Sequence, residues 1–197
     1  MVRFLIAFSI AFLASLAAAQ AEDEPRPGES LPKAAEESQT RLDALFQTLK
    51  KEPNEQAARR IALRIGRALS DSDSDTANLL MGWANDAIKA EKFSVALDFL
   101  DQVTLLFPTY PEGWNRRATV HFMMNDHARA MADISRTLEL EPRHFGALAG
   151  LARILQQSGR DEQALAAYEK VLEIYPMLRS AQSAIAEISD ELDGQGI

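Results

Sequence analysis

The sequence predicts an all-α fold, a right-handed α-solenoid of antiparallel helix pairs, and three observations predict it. Alanine and proline recur at a fixed 34-residue interval, the apolar residues between them keep helical spacing, and short polar turns divide each interval in two. Ala96, Ala130 and Ala164 set the interval, and Pro108, Pro142 and Pro176 repeat it. The same register aligns Leu80 with Trp114 and Leu148, and Ala84 with Ala118 and Ala152. Leu100, Ile134 and Tyr168 form a further column, as do Leu106, Leu140 and Ile174. One such coincidence means little, but this many columns over three copies mean a structural repeat.

In chain order, the first 21 residues read as a signal peptide. Arg3 is the positive end, Phe4 to Leu16 is an unbroken apolar and small-residue run, and Ala17, Ala19 and Ala21 satisfy the small-x-small rule for cleavage before the acidic Glu22. The run from Phe4 to Ala19 is shorter than the roughly 20 residues a membrane span needs, so the expectation is cleavage, no stable membrane span afterwards, and export. In a bacterium that means the periplasm. Residues 22–38, with Pro25, Pro27, Gly28 and Pro32 among acids, read as a disordered linker.

Residues 39–76 carry two helical stripes. Leu42, Leu45, Phe46 and Leu49 form one, and Ile61, Leu63, Ile65, Ala68 and Leu69 form the other, with Asn54 as N-cap. They fit the repeat poorly and are expected to be a degenerate hairpin capping the N-terminal end. Three full repeats follow at 77–110, 111–144 and 145–178, then a solvating cap helix and tail at 179–197 that carries Ala181, Ala184, Ile185 and Ile188. Each repeat reads as two amphipathic helices joined by turns at Glu91-Lys92, Asn125-Asp126 and Ser158-Gly159. A residue of the Ala130 type sits where two helices cross, leaving no room for more than a methyl. A residue of the Pro142 type stops the second helix, since proline lacks an N–H and clashes with the preceding turn. One hairpin cannot bury its apolar faces alone, so neighbours must stack.

These residues resemble the tetratricopeptide-repeat (TPR) family, whose pattern runs W-x2-L-G-x2-Y, A-x3-F and P. The middle copy supplies Trp114, Ala118, Ala130, Ile134 and Pro142. The third supplies Leu148, Leu151, Ala152, Leu155, Ala164, Tyr168 and Pro176. The resemblance implies that the first helix of each pair lines a concave surface that binds protein segments. It places Met81, Asn85 and Ile88, then Asn115, Thr119 and Phe122, then Ala149, Arg153 and Gln156 on that surface. Their mixture of apolar and polar groups suits an extended or helical peptide. Some family members grip a partner's C-terminal carboxylates with a Lys/Asn/Arg clamp. This groove has no Lys in those places, and Glu112 stands where a cation would help.

Composition excludes other chemistry. A net charge of −8 without a basic cluster argues against nucleic acid. The absence of cysteine removes disulfides, thiolate metal sites, cysteine nucleophiles and a lipid-modified N-terminal cysteine. No phosphate loop or nucleophile elbow is present, so no catalytic residue is expected, and no cofactor. Asp71-Ser72-Asp73-Ser74-Asp75 resembles the start of a calcium loop, but Thr76 replaces the required glycine and Gly82 the closing glutamate. It reads instead as a solvated turn with Ser74 or Asp75 capping a helix. His121, His127 and His144 lack metal-ligand spacing. Arg117 and His121 fall in columns that hold Trp83 and Leu151, and Ala87 and Leu155, in the other copies. Arg117 must therefore meet a carboxylate or reach solvent.

The expected function is a non-enzymatic, exported protein-binding scaffold, monomeric, using its concave groove. The alternative is an oligomerising module that makes contact through its ends or convex face. A groove binder concentrates exposed apolar area inside the curve; an oligomeriser exposes it at an end helix.

Overall fold

The computed structural model describes residues 31–194, with side chains from residue 36 on. The expected signal peptide, residues 22–30 of the linker and the tail 195–197 lie outside the described residues. Within them the regular structure is α1 (Leu31–Lys51), α2 (Glu55–Ser70), α3 (Asp75–Lys89), α4 (Phe93–Leu106), α5 (Pro111–Met123), α6 (His127–Leu140), α7 (Phe145–Gln157), α8 (Asp161–Ile174) and α9 (Arg179–Gly194). Glu37 onward forms one compact unit.

The all-α repeat architecture is as the sequence predicts. Helices α3 and α4, α5 and α6, and α7 and α8 pair closely. The pairs then stack, α4 on α5 and α6 on α7, and α9 closes on α8. The alanine columns explain the close approach, because Ala84, Ala96, Ala130, Ala152 and Ala164 are fully buried. Each pair turns through one left-handed residue, Glu91 (φ 56°), Asn125 (φ 59°) or Gly159 (φ 67°). The next N–H then reaches back over the helix end: Lys92 donates to the Ala87 carbonyl, Asp126 to His121 and Arg160 to Leu155. This ties off carbonyls that would otherwise lack partners. Asn54 caps α2, accepting from the Ala57 N–H, and Ser74 caps α3, accepting from that of Ala77.

Two expectations are corrected. First, α1 begins at Leu31, inside the stretch read as linker. Pro32 does not prevent this, because the first turn of a helix has no internal partner for its N–H. Second, α1 and α2 do not cap the first repeat. Leu42, Leu45, Phe46 and Leu49 of α1 cluster with Ala58, Ile61, Ile65 and Leu69 of α2 and with Tyr175, between α8 and α9. Phe145, Ile174, Met177 and Leu178 pack against the same cluster. Helix α2 therefore crosses the N-terminal ends of α5, α7 and α9. At one end the Tyr110 hydroxyl donates to the Ser70 carbonyl at 2.7 Å, and at the other Arg179 pairs with Glu55 at 3.0 Å. Between them Arg143 pairs with Asp43 at 2.8 Å while lying 4.3 Å over the Phe46 ring. The stripe of large leucines on α1 and α2 fits this broad seam and not the alanine-lined crossing of a repeat.

Candidate functional site

Helices α5, α7 and α9 lie side by side, and their shared face forms a trough of about 390 Å³. Its floor is built from small residues, among them Ala118, Gly146, Ala149, Gly150 and Ala184. Asn115, Thr119, Phe122, Arg153 and Gln156 stand around it, as the sequence predicts for the concave surface. Spacings of four and three keep each set on one helix face. Phe122 is held by stacking on His127 at 5.7 Å, and the Gln156 Oε1 accepts from the Tyr168 hydroxyl at 3.4 Å.

Sequence reasoning missed the contribution of α9, whose Ser180, Ser183 and Glu187 complete the trough. The signal was available. Carrying the 34-residue register once more takes Gly146 to Ser180, Ala149 to Ser183 and Arg153 to Glu187. The cap helix is thus a fourth concave-side helix and not only a solvating lid.

The other expected groove residues go elsewhere. Met81 is buried in a cluster with Leu100, Val103 and Val120, and Ile88 packs against the same cluster. Both are core residues of the first repeat. Asn85, with part of Met81, faces α2 across a separate cavity of about 770 Å³. The groove expected over three repeats is therefore lined differently along its length: α2 forms one wall of its N-terminal part, and Asn115 and Gly146 border both that part and the C-terminal trough.

Between the trough and α2 lies a buried polar network. The Glu112 carboxylate accepts from Arg116 at 2.6 Å and from Asn115 at 2.9 Å, and meets His144 Nε2 at 3.0 Å. His144 Nδ1 accepts the Ala147 N–H at 3.1 Å, capping α7. That bond fixes the tautomer, so Nε2 carries the proton and donates to Glu112. Burial pushes the Glu112 carboxyl up, but the His144 hydrogen bond and the Arg116 charge outweigh it and hold the group below the usual carboxylate range. Glu112 therefore braces the start of α5 against that of α7 and does not reach into the trough.

Arg117 meets carboxylates. Its guanidinium makes a two-pronged pair with Asp133, at 2.8 and 2.7 Å, and extends to Asp101 at 2.9 Å and the Thr104 hydroxyl at 2.8 Å. It also lies 4.8 Å over the Trp114 ring. The Asp133 hydrogen bond, above all, raises its pKa further. Asp133 belongs to its own repeat while Asp101 and Thr104 belong to the one before, so this arginine rivets two repeats together. His121 is buried 3.8 Å from Asp133, and burial holds its pKa below the ordinary value. The Asp71–Asp75 stretch forms a turn in which Ser72 donates to Asn78 at 2.9 Å and Ser74 caps α3. Among the described residues no group of His, Asp or Glu is placed to hold a metal ion, and no helix is long and apolar enough to cross a membrane.

Comparison with known proteins follows the same lines. Residues 121–188 match the family described as the tetratricopeptide repeat. A TPR repeat-containing protein of Rhizobium etli is 46% identical over 171 residues, spanning 87% of this chain and 81% of that one. The small glutamine-rich tetratricopeptide repeat-containing protein 2 of Mycosarcoma maydis is 26% identical over 123 residues, 62% of this chain and 35% of that one. Among solved structures, the first TPR of Spaghetti bound to an HSP90 peptide superposes with a TM-score of 0.58 at 25% identity, covering 61% of this chain and 95% of that chain. The TPR2B domain of yeast Sti1 in complex with an Hsp70 peptide gives 0.56 at 15% identity, over 60% and 99%.

Proposed function

The chain belongs to the tetratricopeptide-repeat family, and from that premise we propose that it is a non-enzymatic scaffold that holds a protein segment in the trough of α5, α7 and α9. Proteins of this family act as protein-binding scaffolds, and the solved relative of Spaghetti carries an HSP90 peptide. The observation that carries the reading is the trough itself: an open channel with a small-residue floor, side-chain amides and hydroxyls for a peptide backbone, and Phe122 as an apolar anchor. Its charged lining residues are Arg153 and Glu187, one of each sign. That balance suits a segment of mixed charge better than an acidic tail.

The test is a double substitution, Phe122→Ala with Arg153→Ala. Aromatic and arginine side chains dominate interface energetics, so affinity for a peptide selected on the wild-type protein falls about tenfold or more, an amount worth about 1.4 kcal/mol. Helical circular dichroism stays near wild type; because Phe122 packs against the cluster of Ala118, Ala130 and Ile134, the melting temperature falls, and affinity is compared well below it. Unchanged peptide affinity in the double variant removes the trough from the function.

We also propose an exported, periplasmic location, supported by the positive, apolar and small-residue order of residues 1–21. The expected result is mature protein starting at Glu22 in the soluble envelope fraction. Intact residues 1–21 recovered in washed membranes would instead mark an anchor.

A further inference from the structure

The first repeat differs from the other two on one side. In the second and third copies, the side facing the N-terminus is covered by the preceding helix pair, and the residues there fit a covered position. Gly113 and Ala147 are buried against the previous repeat, and Arg117 and Leu151 reach its second helix or pack beside it. The equivalent residues of the first copy are Leu79 and Trp83, which are 52% and 47% exposed. Asp133 and Ala167 are buried, while their counterpart Phe99 lies on the open side against Trp83, ring centres 5.5 Å apart. The neighbouring positions continue the contrast. Val95 and Leu105, 40% and 72% exposed, stand where the later copies carry Arg129 and Gln163, and Glu139 and Glu173. Because α1 and α2 pack elsewhere, nothing among the described residues covers this face.

We propose that the N-terminal end of the solenoid is a homodimer interface, α3 of one copy lying antiparallel to α3 of a second about a two-fold axis. Three observations select a second copy over a further repeat or a head-to-tail chain. An ordinary preceding repeat does not fit: at Gly113 a single added methyl would come within 2.7 Å of Val103, and the first copy carries a whole leucine at that position. The far end of the array exposes Asp190, Glu191 and Asp193. Set against the Asp71, Asp73 and Asp75 of the N-terminal end, it would repel. An antiparallel α3 pair instead brings Lys89 and Lys92 of each copy beside Asp73 and Asp75 of the other, so the face is complementary to itself.

Two helices about 22 Å long and about 10 Å across present a footprint of roughly 450 Å². A two-fold contact then buries about 900 Å² in total, in the range of weak, transient interfaces. A contact of that size fits a weak, reversible dimer, and the proposal departs from the monomer that the sequence reading expects. It is independent of what the trough binds.

The test is sedimentation equilibrium of the full chain from micromolar to several hundred micromolar. Wild type shifts from monomer to dimer across that range, and Leu79→Glu with Trp83→Glu stays monomeric. Since the sequence has no cysteine, Asp86→Cys and Ser135→Cys give a second readout that leaves the apolar face intact. A short bis-maleimide joins two copies through position 86 and not through position 135. A wild-type chain that is monomeric throughout, a dimer that survives the double glutamate change, or equal cross-linking at both positions overturns the proposal.

Discussion

Replacing glycine by alanine inside a helix normally stabilises it by about 1 kcal/mol, since alanine has less backbone freedom to lose. The structure predicts opposite signs for this one change at different glycines. At Gly66, within α2, an added Cβ meets nothing within 4 Å, so Gly66→Ala gains the full propensity term. At Gly150, in the floor of the trough, the new carbon lies 3.5 Å from Ile134 Cδ1, an ordinary contact, and most of the gain survives. At Gly113 it lands 2.7 Å from Val103 Cγ1 and 3.3 Å from Tyr110 Cδ1. Neither neighbour can move aside, because Val103 is fully buried and the Tyr110 hydroxyl is bonded to Ser70. α4 and α5 must separate, at an overpacking cost of about 1–3 kcal/mol. After subtracting the propensity gain, Gly113→Ala is destabilised by up to roughly 2 kcal/mol, where Gly66→Ala is stabilised by about 1 kcal/mol. Urea unfolding followed by circular dichroism reads all three variants, and thermal midpoints move about 2–4 °C per kcal/mol for a chain of this size. A Gly113→Ala midpoint that rises alongside Gly66→Ala refutes the tight seating of the second pair on the first.

Ala130→Arg forces charge and bulk into a fully buried helix crossing and costs about 3 kcal/mol or more, while Ala128→Arg, exposed at the start of α6, stays close to wild type; their melting temperatures separate the two. Asp133→Asn leaves the Arg117 guanidinium, 19% exposed, without its main carboxylate and costs about 3 kcal/mol, whereas Asp101→Asn, 61% exposed, costs under about 1 kcal/mol in the same urea assay. Acid weakens the fold in two steps. His121 has a folded pKa below its ordinary value near 6.5 and Glu112 one below the usual carboxylate value near 4.3, so each contributes stability above the unfolded value. That contribution is lost as pH falls through the folded value, first for His121 and then for Glu112. His121→Gln flattens the upper part of the profile and leaves the lower part in place.

The solenoid was legible because its determinants are local and repeated. Alanine at a crossing, proline after a helix and a polar turn between two amphipathic stretches each act within a few residues, and the 34-residue register multiplies the signal. What escaped depends on contacts between distant parts. The stripe of Leu42, Leu45, Phe46 and Leu49 announces a buried face without saying which surface buries it, and the answer, Tyr175 and its neighbours, lies more than a hundred positions away. Met81 and Trp83 exchanged expectations for a related reason. Family columns assume that something precedes the first repeat; with none of the described helices seated there, the column residue Trp83 is left outside and the groove residue Met81 packs inward against Val120. Arg117 was legible as an anomaly, and its partners followed from the register, since Asp101, Thr104 and Asp133 sit on the helices that a covered position must touch.

The crossing of α1 and α2 over the repeats has a kinetic consequence. Helical arrays are quasi-one-dimensional, so their stability is nearly a sum over neighbours and unfolding can begin at either end. Here α1 and α2 find their apolar partner at Tyr175 and their ion pair at Arg179, made more than a hundred residues later. They must wait, leucine stripe uncovered, until the third repeat has formed. Once docked, they close a loop of more than a hundred residues, a contact that is slow to make. The same clasp ties the third repeat to the N-terminal helices, so unfolding of Tyr175 and its neighbours uncovers the leucine stripe of α1 as well.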